Sequence, residues 1–306
     1  MTALVLGTMY FGTKTDEKTS FQLLDRYVEA GGTVIDTANC YAFWSNPTGH
    51  GGQSEELIGR WLKLNPDLRN SLRIATKVGA EPVDGGGTEG LSAATIAREA
   101  RRSLERLGIE RIDLYWAHLE DRSVSQEEAL GAFAELVDDG LVAAIGVSNH
   151  PVWRVEEARA ISLANHWPSY SALQLSTSYV RPRPDAPVPG KDHRFGWVTD
   201  ETIDYLDNHP DLELWAYSPL IGGSYNRPDR PFPEVYDHPG TTARLRVLKT
   251  VADELGVTPG QVVLAWLMPK IKPIIGASNL AQLNEALAAG DTKLTNDQRS
   301  RLNAAH

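Results

Sequence analysis

Thr33-Val-Ile-Asp-Thr-Ala-Asn-Cys-Tyr41 is the stretch from which the fold is read. Its first three residues make a short, β-branched run of the kind strands favour. That run ends on an acid, Asp36, and a phenol follows at Tyr41. The same grammar recurs downstream. Leu72-Arg-Ile-Ala-Thr-Lys77 ends on a lysine, and Ile112-Asp-Leu-Tyr-Trp-Ala-His118 ends on a histidine. Polar groups at the ends of successive apolar runs are the pattern of a parallel α/β barrel, whose functional side chains gather at the C-terminal ends of the strands.

Outward from this stretch, short apolar runs alternate with amphipathic ones. Runs at 3–6, 33–38, 72–78, 112–117, 142–147, 172–175, 212–217 and 274–275 read as strands. Helical stretches follow them at 20–30, 53–64, 92–107, 126–138, 152–163, 199–206, 242–255 and 280–289. Leu57, Ile58, Trp61 and Leu62 stand at helical spacing, Ser92 reads as an N-cap, and Gly108 and Gly140 read as stops. Additional helices are expected at 259–267 and 296–302. Eight strand–helix units in 306 residues predict a single parallel (β/α)8 TIM-type barrel spanning 1–306. The rival, an open doubly wound sheet, usually carries an early G-x-G-x-x-G turn. The first run is followed instead by Gly7-Thr-Met-Tyr-Phe-Gly12.

Three connections are long: 41–52, 180–197 (with Pro182, Pro184, Pro187, Pro189 and Arg194) and 222–240. Loops of this length are usually functional. They are expected to wall a substrate and clasp a cofactor, with plain insertion an equally simple reading of 180–197.

Composition narrows the class. Apolar residues make up 42% and charged residues 23%, an ordinary globular mixture. A net charge of −10 argues against nucleic acid or an anionic membrane surface as partner. One cysteine, Cys40, permits no intrachain disulfide and suits the cytosol. No apolar run reaches the ~18 residues of a spanning helix, and the first residues lack a basic signal-peptide region. A cytoplasmic location is expected.

Lys77 and Asp36, at the ends of neighbouring strands, are expected to pair, since neither residue type is commonly buried alone. An ammonium beside Tyr41 favours its phenolate and lowers its pKa, which would suit a general acid serving a carbonyl oxygen. His118 is placed to donate a second hydrogen bond to that oxygen. Alone, each residue reads more simply as a turn cap, a core aromatic, a surface charge or a strand-end histidine. The set of four at successive strand ends is what points to chemistry. Tyr10, Trp44 and Trp116 lie beside these segments and are expected to form an apolar cup for substrate, with core packing the plainer alternative and Trp153 evenly balanced. Cys40 reads as a small buried filler. Arg98, Arg101, Arg102 and Arg106, interspersed with Glu99 and Glu105, read as a solvated, salt-bridged helix face.

From Gly7 to Glu285 the chain resembles the aldo-keto reductase family. The matching segments are Gly7-Thr-Met-Tyr-Phe-Gly12, Asp36-x-x-x-x-Tyr41, Gly51-Gly-Gln-Ser-Glu55, Thr76-Lys77, His118-Leu-Glu-Asp121, Gly146-Val-Ser-Asn149, Gln174, Ala216-Tyr-Ser-Pro-Leu220 and Pro273-Ile-Ile-Gly-Ala-Ser278 with Gln282. The resemblance implies reduction of an aldehyde or ketone by hydride transfer, with Asp36, Tyr41, Lys77 and His118 as catalytic tetrad and Tyr41 as acid. It implies a nicotinamide cofactor held by Thr8, Met9, Ser148, Asn149, Gln174, Tyr217, Ser218, Leu220, Gly276, Ser278 and Gln282, with Tyr217 stacked on the ring. NADPH is the family's usual donor. The last segment departs from the pattern: Gly276 and Ala286 stand where a lysine and an asparagine are common, and Gln282 replaces an arginine. NADH is therefore also compatible, with Arg227 or Arg230 as replacement cation for NADPH. The family's N-terminal hairpin is expected to be shortened or absent. A cofactor-binding sensor on the same barrel is the alternative function, and a tuned acid is what such a sensor would not need.

Overall fold

The computed structural model describes residues 3–184, 186–188 and 195–306, so Pro189 and Arg194 lie outside the described residues. Eight strands, β1 (Val5–Gly7), β2 (Val34–Asp36), β3 (Arg73–Val78), β4 (Leu114–Ala117), β5 (Ile145–Ser148), β6 (Ala172–Ser176), β7 (Glu213–Tyr217) and β8 (Lys272–Ile275), close in sequence order into one barrel. Every neighbouring pair is parallel, including β1 with β8. Among the described residues no strand precedes β1.

Among the described residues ten α-helices surround the barrel: α1 (Glu17–Glu29), α2 (Gln53–Leu64), α3 (Ala93–Leu107), α4 (Gln126–Asp138), α5 (Val152–Asn165), α6 (Asp200–Asn208), α7 (Pro239–Leu255), α8 (Pro259–Leu267), α9 (Leu280–Leu287) and α10 (Asn296–Ala304). Local chemistry sets their ends. Ser92 caps α3 by accepting from the Thr95 N–H, and Gly108 closes it with a left-handed φ of 63° that a side chain would resist. Thr258 with Gln261, and Thr295 with Gln298, form reciprocal capping boxes on α8 and α10. Observed bounds differ from those read in the sequence by a few residues, chiefly where strands begin later than their apolar runs, as at β4 and β5.

The period of two along each strand sorts the side chains. On β4, Leu114 and Trp116 point into the barrel and join Val5, Ala75, Ala172, Trp215 and Ile274 in a small inner core. Tyr115 and Ala117 belong to the larger core between barrel and helices. On β3 the same alternation turns Arg73, Ala75 and Lys77 to one side, so two cations stand at opposite ends of one barrel. Arg73 is matched at the N-terminal end by Glu213, which also takes Lys272 Nζ at 2.7 Å and the Trp215 indole N–H at 2.8 Å. Lys77 is left for the other end.

On α3, Arg98, Arg101 and Arg102 are exposed as expected of a solvated face, but Arg106 and Glu99 turn inward. Glu99 is 3% exposed and is paired by Arg98, Arg102 and Arg106. Arg106 also reaches Glu55 of α2 at 2.6 Å, and the fully buried Glu55 accepts from the Thr76 hydroxyl as well. Thr76 precedes Lys77, so this ion cluster braces the strand that carries the lysine. A buried carboxylate without such partners would be strongly unfavourable.

Candidate active site

Asp36 ends β2, and Lys77 stands near the end of β3, both turned into the barrel mouth and 1% and 0% exposed. The Lys77 ammonium donates to Asp36 Oδ2 at 2.6 Å, to the Thr37 carbonyl at 2.6 Å and to the Tyr41 hydroxyl at 3.1 Å. Those three bonds use all three of its hydrogens. Gln174 of β6 donates its amide to the other Asp36 oxygen at 3.2 Å. Burial pushes the Asp36 carboxyl above its ordinary range while Lys77 resists the rise. Burial also opposes the Lys77 charge, but Asp36 and Tyr41 hold that lysine above its usual value. With two donors on the carboxylate and three acceptors around the ammonium, the pair is held as ions. The Thr37 carbonyl was invisible beforehand, because a backbone acceptor leaves no mark on residue type.

Tyr41 corrects one expectation. Lys77 does favour its phenolate, but burial outweighs that effect and Asp36 adds to it, so the phenol is pushed up to about 12. At neutral pH the hydroxyl therefore holds its proton firmly. His118, after β4, stands edge-on to the Tyr41 ring with centroids 5.9 Å apart and planes inclined at 77°. Its Nδ1 lies 3.6 Å from the Cys40 sulfur. Cys40 is buried, which pushes its thiol far above the usual range, so it is a neutral neighbour of the histidine as well as a filler.

The predicted aromatic cup divides. Tyr10 and Trp44 meet edge to face at 6.2 Å, and Trp44 meets Tyr41 at 6.5 Å, with Trp44 45% exposed. Trp116 does not join them. It is fully buried in the inner core against Trp215, centroids 5.2 Å apart, and fills the barrel beneath the tetrad. Trp153 is exposed, with the guanidinium groups of Arg122 and Arg154 against its ring.

The residues expected around a cofactor fall into two places. Near the tetrad, Ser148 Oγ donates to the Gln174 carbonyl at 3.0 Å. Asn149, held at a left-handed φ of 60°, donates its amide to the His118 carbonyl at 2.9 Å and to Ser148 Oγ at 3.1 Å. Tyr217 donates its hydroxyl to Asn149 Oδ1 at 2.8 Å. Ser218, also at positive φ, and the half-buried Leu220 continue from Tyr217. Thr8 is buried and donates to the Asp36 carbonyl, and Met9 beside it is 38% exposed. Farther out, after β8, no atom lies within 4 Å of where a Cβ on Gly276 would stand. Ser278 donates through both N–H and Oγ to Gln282 Oε1, at 2.9 Å each, where α9 begins. Arg227 is engaged by Asp229, and Arg230 is exposed on the same loop.

This arrangement fits a nicotinamide dinucleotide. Buried amide and hydroxyl groups beside an aromatic ring suit a carboxamide-bearing ring, and an open glycine at a helix N-terminus suits a phosphate. Sequence reasoning missed the support behind Tyr41. Asn39 donates to Glu89 at 2.7 Å, and Glu81 accepts from the Gly51 N–H at 3.0 Å and contacts His50 at 3.0 Å. Both acids lie in the connection between β3 and α3, in a glycine-rich stretch with no periodicity to single them out. An open polar cavity of about 590 Å³ adjoins this brace between α2 and α3, and no tetrad residue lines it. It is the back of the tyrosine loop, not the mouth of the site.

Comparison with known proteins agrees with the geometry. The family model described as "Aldo/keto reductase family" matches residues 3–306. The uncharacterized oxidoreductase YrpG of Bacillus subtilis is 30% identical, over 98% of this chain and 90% of its own length. Aldo-keto reductase str7 of Strobilurus tenacellus is 30% identical over 94% and 81%. Norsolorinic acid reductase stcV of Emericella nidulans is 34% identical over 96% and 76%. A closed parallel barrel with an Asp–Lys–Tyr–His group at its mouth and a profile match over nearly its whole length make this chain a member of the aldo/keto reductase family.

Proposed function

We propose that this protein reduces an aldehyde or ketone to an alcohol with Tyr41 as the proton donor, using NADPH, the family's usual donor, with NADH also compatible. One observation carries the reading: the fully buried Lys77 bridges Asp36 Oδ2 at 2.6 Å and the Tyr41 hydroxyl at 3.1 Å. A cation buried only to satisfy an acid has no need of a phenol facing the barrel mouth.

The nicotinamide cofactor supplies the hydride. The residues do the rest. Tyr41 Oη gives its proton to the substrate oxygen as negative charge builds there. That oxygen approaches the basicity of hydroxide, whose conjugate acid has a pKa of ~15.7, so a phenol near 12 still transfers downhill. Lys77, fixed by Asp36 and Thr37, stabilises the phenolate that remains. His118 orients the carbonyl. Ser148, Asn149 and Gln174 would hold the carboxamide and Tyr217 would offer its ring face. Gly276, Ser278, Gln282 and the start of α9 would receive phosphate. Tyr10 and Trp44 are the apolar wall beside Tyr41. A sensor on this barrel would not call for an acid held ready in this way.

The test is cofactor oxidation across a panel of carbonyl compounds with NADPH and with NADH, followed by single-turnover hydride transfer in Tyr41→Phe, Lys77→Met and the double variant. Tyr41→Phe is expected to lower the rate by roughly two or more orders of magnitude. The double variant should lose far less than the product of the single losses, because both act on one proton transfer. Near-normal rates in Tyr41→Phe, or fully additive losses, would remove Tyr41 as the acid that Lys77 serves.

A further inference from the structure

Gln174 holds a position that a carboxamide-binding role does not account for. Its side chain is 2% exposed, and its Nε2 donates to Asp36 Oδ1 at 3.2 Å, opposite the oxygen that takes Lys77. The orientation of the amide is not arbitrary: the reverse would set its oxygen against a carboxylate. The Gln174 carbonyl accepts from Ser148 Oγ and from the Asn149 N–H at 3.1 Å. Ser148 Oγ accepts from Asn149, and Asn149 accepts from Tyr217. One hydrogen-bonded path thus runs from Tyr217 on β7, through Asn149, Ser148 and Gln174, to Asp36, Lys77 and Tyr41.

We propose that Gln174 is a positioning residue for proton delivery: its amide N–H fixes and partly neutralises the Asp36 carboxylate, and so sets how much positive charge Lys77 presents to Tyr41. The inference rests on Tyr41 being the acid. The sign follows from the pair. A carboxylate that loses a donor is more basic and draws proton density from Lys77. A less positive Lys77 stabilises the Tyr41 phenolate less, and the phenol becomes harder to ionise. The Gln174 bond does favour the charged form of Asp36. The groups bearing on Tyr41 are Asp36 from β2, Lys77 from β3, His118 after β4, Tyr217 from β7 and the adjoining Cys40. Glu81 and Glu89 act at one remove, on Cys40. Asp36 both receives the Gln174 amide and bears on Tyr41, directly and through Lys77.

The test uses the reverse reaction, alcohol oxidation, in which Tyr41 must first be ionised, so kcat rises with pH throughout the working range below the phenol's pKa of about 12. Gln174→Met keeps the volume and removes the donor. Gln174→Leu also removes the donor and adds no charge. The rising limb is expected to move to higher pH in Gln174→Met by up to about one to two units, the ceiling set by one hydrogen bond to a charged group, and by a similar amount in Gln174→Leu. Infrared spectra of the cofactor-free protein give a readout without turnover. The Asp36 carboxylate band, isolated by subtracting the Asp36→Asn spectrum, should shift in Gln174→Met. An unmoved limb and an unmoved band would overturn the proposal, as would the two variants shifting the limb in opposite directions. If Tyr41→Phe oxidises alcohol normally, it is the acid assignment that fails, and that result is read independently of Gln174.

Discussion

Lys77→Met should separate the stability of the buried pair from its chemistry. The substitution removes the cation and leaves Asp36, 1% exposed, with neutral donors such as the Gln174 amide. Breaking a buried ion pair at one partner costs about 3–5 kcal/mol, because the remaining charge is uncompensated. Lys77→Met is therefore expected to lower the free energy of unfolding by that much, as measured by urea denaturation at neutral pH. Adding Asp36→Asn removes the stranded charge and leaves an amide that still accepts from Gln174. The double variant should recover most of the lost stability, to within about 1 kcal/mol of the wild type, since exchanging a whole buried pair for neutral groups is often near neutral. Its kcat should not recover, because no ammonium faces Tyr41 in either protein. A stable but inactive double variant beside an unstable, inactive single one is the expected pair of results. If Lys77→Met alone costs less than about 1 kcal/mol, the two residues are not buried as ions. If the double variant regains activity, Lys77 acts on folding and not on the phenol.

Two further outcomes follow from the same geometry. His150, buried and hydrogen-bonded through Nδ1 to the Ser148 carbonyl at 2.7 Å, has its pKa depressed by burial to about 4. Protonation thus favours the unfolded chain, whose histidine titrates near ~6.5, and stability falls as pH drops from there toward 4. Linkage puts the loss at about 2 kcal/mol by pH ~5 and about 3 kcal/mol by pH ~4. His150→Asn, which keeps a donor to Ser148 without the titration, should show a pH profile of unfolding lacking that component. An identical acid loss in wild type and variant would mean that His150 is charged in the folded protein. Tyr217→Ala removes an aromatic face and the hydroxyl that orients Asn149, so NADPH affinity should weaken by roughly tenfold or more in a fluorescence titration. Tyr217→Phe should fall between, and unchanged binding in both would take the ring away from the cofactor.

The barrel and the four polar groups were legible in the sequence for one physical reason. A parallel strand buried on both faces must be apolar along its length, so a charged residue stands out where the strand stops. Asp36, Lys77 and His118 each mark such an end. The same reasoning misplaced Trp116. It lies two residues before His118, and nearness in sequence to a site residue says nothing about depth. The pleat places Trp116 on the same inner side as His118 but one layer deeper, where Gly146 of β5 leaves room for its ring: a Cβ there would stand 2.6 Å from the indole. The glycine was visible, but its purpose required the register. Glu89 and Glu81 were missed for the opposite reason. They work from an aperiodic loop, where neither spacing nor neighbours distinguish a brace from a surface acid.

The error over the Tyr41 pKa is more instructive than either omission. From sequence the lysine beside the phenol was apparent, and its effect was expected to lower the pKa. Burial, which sequence does not quantify, outweighs it, and the phenol ends at about 12. The consequence runs through the mechanism. An acid near 7 would be half ionised at rest, and half the molecules would be unable to deliver a proton. One near 12 is essentially all protonated at neutral pH, and the lysine's contribution is felt only as the proton leaves. On this view Lys77 does not prepare a weak phenol in advance. It stabilises the phenolate during transfer, which is why its removal should depress the rate of proton delivery in reduction and move the pH limb of oxidation in the same variant.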